Sequence, residues 1–123
     1  MNVRWMAVLT GFLVDYLISM LLSILASPEF FVAPDLSRPN DLILTCLLLL
    51  STGIGGYVAG RMARTNRVIN GLLVAVVGIL LGQLGGPTPR VFVIASAISC
   101  LVAALGGFLS RYPLRQQPSS DQR

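Results

Sequence analysis

The stretch DLILTCLLLLSTGIGGYVAGRM, residues 41–62, decides the fold of this chain. It carries Asp41 at its start and Arg61 near its end, with no charged residue between them. A helix of this length crosses a hydrocarbon core of about 30 Å, because each residue adds about 1.5 Å. The stretch therefore predicts a membrane-spanning α-helix, with Asp41 as its expected N-cap.

Three more apolar blocks of similar length lie at residues 6–26, 68–85 and 90–110. Of the 123 residues, 54% are hydrophobic and 11% are charged, too few polar groups to cover the surface of a soluble domain. We therefore predict an all-α integral membrane protein, a four-helix bundle within residues 1–112. A polar cytoplasmic tail is expected at residues 113–123.

The arginines predict the orientation of these helices. Seven of the nine basic residues fall on one side of the predicted membrane, which the positive-inside rule makes cytoplasmic. Both termini are then cytoplasmic in a multi-pass protein of the bacterial inner membrane. The three arginines between the second and third helices should also attract anionic lipid headgroups, so membrane lipids are expected partners and nucleic acid is not. These three are Arg61, Arg64 and Arg67.

Small residues recur at helical spacing and predict the faces through which the helices pack. In lipid, helices associate through close backbone approach and van der Waals contact rather than through the hydrophobic effect. The expected helix-packing residues are Gly11, Gly53, Gly56, Gly60, Gly71, Gly78, Gly82 and Gly106.

Two pairs of similar segments suggest an internal repeat. They are residues 55–57 with 106–108, each followed by an arginine, and residues 11–14 with 71–74. Two interpretations stay open at this point. The chain is either two copies of one helical hairpin, related by an axis along the membrane normal, or two unrelated hairpins that share a glycine-rich composition.

Asp15 is the acidic residue well inside an apolar block. It follows Arg4 by about 16 Å of helix, which places it near the bilayer centre. A carboxylate there costs about 2.5–3.5 kcal/mol and should face the interior of the bundle rather than lipid. Its helix offers a small and polar stripe for that purpose, formed by Ala7, Gly11, Asp15, Ser19 and Ser23.

Two roles for Asp15 follow from this position. It is either a proton or cation site, or a structural hydrogen-bonding group held by Ser19, Thr52, Tyr57 or a backbone carbonyl. The rest of the chain predicts no enzyme, no cofactor and no metal site. It has no histidine, and its two cysteines lie in separate apolar blocks.

The segments Gly11–Asp15 and Gly55–Arg61 together resemble a family of small, uncharacterised bacterial four-helix membrane proteins with a GGYxAGR-like helix end. The resemblance implies a four-helix membrane architecture, and it carries no function. A looser resemblance is to the small multidrug-resistance transporters, which have an acidic residue in their first helix. It implies that Asp15 exchanges protons for a cationic substrate, although those transporters carry glutamate there and have short loops.

Two functions are therefore carried forward. The first is a non-enzymatic membrane component that acts by packing, either as a homo-oligomer or as an accessory subunit of a larger membrane complex. The alternative is a proton-coupled small-molecule transporter that uses Asp15. The substitution Asp15→Asn distinguishes the two hypotheses. Loss of a proton-dependent transport activity in a variant that still assembles would contradict the packing function. Absence of transport and proton uptake in the wild type would contradict the transporter.

Overall fold

A computed structural model describes residues 3–84 and 89–112 of the chain. The described residues are helical and contain no strand, which confirms the all-α prediction. The helices are α1 (Trp5–Ser23), α2 (Pro28–Val32), α3 (Pro39–Ala63), α4 (Arg67–Gln83) and α5 (Arg90–Leu109).

Three of these helices, α1, α3 and α5, are long and apolar enough to cross a membrane. The helix α4 is also apolar but has only 17 residues. The predicted tail at residues 113–123 lies outside the described residues, as do residues 85–88 between α4 and α5.

The start of α3 differs from the prediction. The helix begins at Pro39, which suits a first helical position because a backbone N–H is not needed there. Asp41 therefore lies in the first turn, and its predicted role as the N-cap is wrong. Its Oδ2 instead accepts a hydrogen bond from the backbone N–H of Asp35 at 3.0 Å, which closes the loop before the helix.

The helices have two distinct ends. The loop end carries residues 24–38 and the beginnings of α3 and α5, where Phe30 of α2 is buried and meets Phe92 edge-on at 5.7 Å. The turn end carries residues 64–66, the beginning of α1 and the end of α5. There the Arg67 guanidinium donates to the carbonyl oxygen of Ser110 at 2.5 Å.

Glycines join α3 to the other long helices, mostly toward the turn end. A Cβ atom built on Gly56 would collide with the backbone of Ala103, and one built on Gly106 would collide with the carbonyl of Gly53. A Cβ on Gly60 would lie 2.6 Å from Ser110 Oγ. These glycines lie where the sequence predicts packing seams, and they pack helices of the same chain against one another.

A glycine near the beginning of the first helix in each half packs against the second helix of that half. Gly11 of α1 lies against Gly55 and Ala59 of α3. Gly71 of α4 lies against Ala103 and Gly107 of α5. The predicted repeat pairs Gly55 with Gly106, so the two contacts differ by three residues in register. This packing therefore does not distinguish a duplicated hairpin from a shared glycine-rich composition.

Gly78 and Gly82 correct the packing prediction. A Cβ on Gly82 would meet no atom within 4 Å, and one on Gly78 would meet only the Phe12 ring at 3.9 Å. Within the chain these two glycines do not pack α4 against another helix, because α4 leaves its neighbours toward the loop end. The space left by this divergence forms the candidate site described below.

Asp35 organises the loop end through its neighbours. The Ser37 hydroxyl donates to Asp35 Oδ1 at 2.5 Å, and the Ser37 N–H donates to the same oxygen at 3.0 Å. The hydroxyl bond, followed by the N–H bond and the charge of Arg38, lowers the pKa of the Asp35 carboxyl below its ordinary value. A carboxyl with a lowered pKa stabilises the loop above its unfolded pKa and loses that effect as the pH falls through the folded one.

We therefore expect Ser37→Ala to raise the pKa of Asp35 toward its ordinary value. The measurement is a ¹³C NMR titration of the Asp35 carboxyl carbon in detergent micelles. Ser27→Ala is the matched control, because the Ser27 side chain makes no capping hydrogen bond to α2. An Asp35 titration that is the same in Ser37→Ala and in the wild type would contradict the hydrogen-bonding arrangement.

Candidate functional site

Asp15 reaches α3 because two glycines bring the backbones of α1 and α3 together. A Cβ on Gly11 would lie 2.5 Å from the carbonyl oxygen of Gly55, so no larger residue fits between the helices. One turn further along α1, the side chain of Asp15 points toward α3, and a Cβ on Gly55 would lie 2.9 Å from its Cβ. The predicted orientation of Asp15 toward the interior is therefore present in the structure.

Three hydroxyl groups surround the carboxylate. Ser51 Oγ lies 2.7 Å from Asp15 Oδ1, while Thr52 Oγ1 and Ser19 Oγ lie 3.3 and 3.4 Å from the same oxygen. The predicted partners Ser19 and Thr52 are confirmed. Tyr57, another of the predicted alternatives, is not among the side chains that donate to Asp15, and its hydroxyl accepts a hydrogen bond from Arg61.

Ser51 is the partner that the sequence analysis missed, and it is almost fully buried. It lies one helical turn before Gly55, so the face of α3 that approaches Asp15 carries both residues. The sequence spacing places Ser51 and Gly55 on one face of α3. The contact between Gly11 and Gly55 is needed to show that this face is the one toward Asp15.

The hydroxyl cluster accommodates Asp15 with or without a proton. Ser51 Oγ has one proton and three oxygen neighbours, which are Asp15 Oδ1, the Leu48 carbonyl at 2.8 Å and Ser19 Oγ at 2.9 Å. When Asp15 is ionised, Ser51 donates to the carboxylate. When Asp15 is neutral, its O–H donates to Ser51 Oγ, and Ser51 donates to the Leu48 carbonyl. Neither state leaves Ser51 without an acceptor for its proton.

A cavity of about 370 Å³ opens beside this cluster, where α4 diverges. Asp15 and Thr52 line one wall, and Gly78 and Gly82 of α4 line another. The aromatic rings of Phe12, Tyr16 and Phe92 also line it. Phe92 lies at the beginning of α5, so the cavity extends from Asp15 toward the loop end.

The remaining wall of the cavity offers further oxygen atoms. The hydroxyls of Ser96 and Ser99 line it from α5, and each donates its proton to a carbonyl of its own helix, at 2.7 and 2.8 Å. Their lone pairs remain available to a bound group. A carboxylate, hydroxyl oxygens and aromatic faces all attract positive charge, and no arginine among the described residues lines this space. The cavity therefore favours a cation.

The arginines predicted for topology and headgroup contact lie at the turn end, away from this cavity. Arg64 and Arg67 line a shallow concavity together with Arg111, and Arg61 lines the one beside it. The sequence grouped Arg61, Arg64 and Arg67 and placed Arg111 on the same side of the membrane, but it did not predict that Arg111 lies beside them.

Asn70 was also missed, although it is fully buried near the turn end. Its Oδ1 accepts a hydrogen bond from the backbone N–H of Arg4 at 3.0 Å. Its Nδ2 lies 3.3 and 3.0 Å from the carbonyl oxygens of Thr65 and Asn66. The signal in the sequence is an amide near the beginning of an apolar block, beside Gly71.

Within residues 3–84 and 89–112, no group of histidine, cysteine or acidic side chains has an arrangement that could hold a metal ion. Comparison of the chain with protein-family models, with curated proteins and with solved structures found no match. The functional argument therefore depends on the geometry of the site.

Proposed function

We propose that this chain is an integral protein of the bacterial inner membrane that binds a small organic cation at Asp15 in competition with a proton, as a proton-coupled transporter does. It crosses the membrane four times as a helical bundle, with both termini in the cytoplasm. The loop end then faces outward and the turn end faces the cytoplasm.

The surface of the helices supports membrane insertion. Large apolar side chains such as Leu17, Leu50 and Leu101 are more than half exposed along the middle of α1, α3 and α5. A soluble protein rarely exposes continuous apolar surface of this kind, whereas lipid covers it without cost. The 17 residues of α4 reach about 26 Å, so this helix crosses the core with the help of its flanking residues.

One observation carries the transporter proposal. Asp15 stands on the wall of a cavity whose lining includes hydroxyl and aromatic groups, and its hydroxyl partners accommodate both of its protonation states. A buried carboxylate with a purely structural role needs no adjacent cavity. In lipid surroundings such a group is costly, and acids retained inside membrane spans commonly mark ion or proton pathways.

Competition for the same carboxylate supplies the coupling. A cation bound in the cavity is stabilised by ionised Asp15, and protonation of Asp15 removes that stabilisation. Each ligand therefore weakens the binding of the other. In a transporter, this exclusion links the movement of the cation in one direction to the movement of protons in the other.

Self-association is the second candidate, and Gly78 and Gly82 favour it. The predicted small-residue faces of α3 and α5 are occupied by contacts within the chain, so they do not motivate binding to a partner. The two glycines of α4 are open, and Gly82 lies with Leu13 and Leu81 along an apolar groove of about 560 Å³ between α1 and α4. A helix of a second copy or of another subunit fits such a groove.

The proposal is tested with phenyltrimethylammonium, a cation with an aromatic ring and no hydrogen-bond donor. We expect it to bind the purified protein in detergent and to release protons into weakly buffered solution. The affinity for the cation should fall by about tenfold for each unit by which the pH is lowered, over the range in which Asp15 becomes protonated. Asp15→Asn should abolish proton release and leave the thermal unfolding midpoint near that of the wild type, because the amide oxygen still accepts from Ser51.

Glu29→Gln is the matched control, since it removes an exposed carboxyl of the loop that pairs with Arg38. This variant should bind the cation and release protons as the wild type does. Equal proton release in Asp15→Asn and in the wild type would rule out Asp15 as the exchanging group. Absence of both cation binding and proton release in the wild type would leave self-association as the favoured function.

A further inference from the structure

Four arginines from separate parts of the chain meet at the turn end. Arg64 lies between α3 and α4, Arg67 is the first residue of α4, and Arg111 follows α5. These three line one concavity of about 390 Å³. The adjoining concavity, of about 430 Å³, contains the same three arginines and adds Arg61 from the last turn of α3. We call these four residues the arginine cluster.

The fold holds this arrangement in place. Arg67 donates to the Ser110 carbonyl and thereby ties the beginning of α4 to the end of α5. Arg111, the next residue, has its guanidinium carbon 5.3 Å from the centre of the Phe108 ring. The turn itself contains Arg64 and Asn66 with positive φ angles of 60° and 48°. Residues other than glycine adopt such angles at a cost, so the conformation persists only where its surroundings enforce it.

The arginine cluster has no acidic partner among the described residues. The acids described are Asp15 inside α1 and three others at the loop end, and the ion pairs of the described residues both involve Arg38. Guanidinium groups that share a concavity repel one another unless an anion lies between them. The backbone N–H groups at the beginning of α4 add positive potential at the same place.

We propose that the arginine cluster binds a phosphate group. Orientation of a membrane protein requires only that arginines lie on the cytoplasmic side, and it does not require residues from three elements to line one concavity. Guanidinium groups present planar pairs of N–H donors that match phosphate oxygens. The phosphate belongs either to an anionic lipid headgroup or to a soluble phosphorylated compound, and the site is independent of the cavity at Asp15.

Two measurements on the full chain distinguish these sources. In nanodiscs of phosphatidylcholine alone, inorganic phosphate is titrated while the side-chain ¹⁵N signals of arginine are followed by NMR. In nanodiscs that also contain phosphatidylglycerol, the retained lipid is counted by native mass spectrometry. Shifts of the cluster arginines in the first measurement identify a soluble phosphate site. Retained phosphatidylglycerol without such shifts identifies a lipid headgroup site.

The double variant Arg64→Gln with Arg111→Gln should weaken whichever binding is observed, of phosphate or of phosphatidylglycerol, by at least about tenfold. Each arginine near an anionic surface contributes roughly a few-fold to the affinity. If the double variant does not fold, Arg111→Gln alone is used, because it alters no residue of the turn. It should weaken the same binding by a smaller factor. Arg90→Gln is the matched control, because Arg90 lies at the other end of α5. Binding that is absent in both measurements, unchanged in the cluster variants, or equally reduced in Arg90→Gln would overturn the proposal.

Discussion

Leucine in place of Gly106 is expected to destabilise the folded chain by about 3 kcal/mol or more, a large effect for overpacking. A Cβ at this position would strike the carbonyl of Gly53 and lie 2.9 Å from the backbone nitrogen of Tyr57. Both are main-chain atoms of α3, so only a separation of α3 from α5 creates room for the side chain. The measurement is the free energy of unfolding in detergent, by thermal or denaturant titration followed by circular dichroism.

Gly82→Leu is the matched control for this substitution. It adds the same side chain to a glycine of another apolar helix, but no atom lies within 4 Å of its Cβ position. We expect its free energy of unfolding to remain within about 0.5 kcal/mol of the wild type, as for substitutions without contacts. Equal destabilisation by the two substitutions would contradict the packing described for α4. A loss of dimer without a loss of folded protein in Gly82→Leu would support self-association through the groove between α1 and α4.

These two glycines also mark how far the sequence predicts the fold. Helices are readable because their length and apolar composition are local properties, and α1, α3 and α5 satisfy both. Gly106 was predicted correctly because small residues repeated at helical spacing share one face. Gly82 belongs to the same kind of pattern on α4. The spacing of small residues on α4 does not show where this helix diverges from its neighbours, because the divergence depends on contacts made elsewhere in the chain.

At the candidate site, too, the sequence predicts some residues, whereas others are identified only by tertiary contacts. Asp15 is recognisable from the sequence, because a carboxylate at that depth is costly unless it is enclosed. Its partner Ser19 follows by one helical turn on the same helix. Ser51 belongs to another helix, and only the contact of Gly11 with Gly55 fixes the rotation that brings Ser51 to Asp15.

The arginine cluster depends on tertiary contacts to a greater extent. Arg64 and Arg67 are neighbours in sequence, and their grouping was predicted. Arg111 is more than forty residues away and is brought beside them by the hydrogen bond between Arg67 and the Ser110 carbonyl. This hydrogen bond and the close packing of α5 against α3 and α4 at Gly60, Gly71 and Gly107 are tertiary contacts, which the side-chain pattern of the sequence does not predict.

Asn70→Leu is expected to destabilise the chain by about 2–4 kcal/mol. Leucine has the same branched arrangement of heavy atoms and leaves no cavity, but it removes every hydrogen bond of the fully buried amide. The N–H of Arg4 then loses its acceptor, and the carbonyls of Thr65 and Asn66 lose a donor. A buried polar group without a partner costs about 1–3 kcal/mol. The free energy of unfolding is measured as for Gly106→Leu, with Asn40→Leu at an exposed position of α3 as the matched control.

Hydrogen exchange separates this local role of Asn70 from a general loss of stability. The amide of Arg4 should exchange faster in Asn70→Leu, because its hydrogen bond is gone even when the chain is folded. The amides in the middle of α3 should exchange faster only by the factor that corresponds to the loss in the global free energy of unfolding. Because the same amide side chain holds the turn with positive φ angles, the variant should also bind phosphate more weakly at the arginine cluster. Unchanged exchange at Arg4 would show that Asn70 does not tie α1 to the turn.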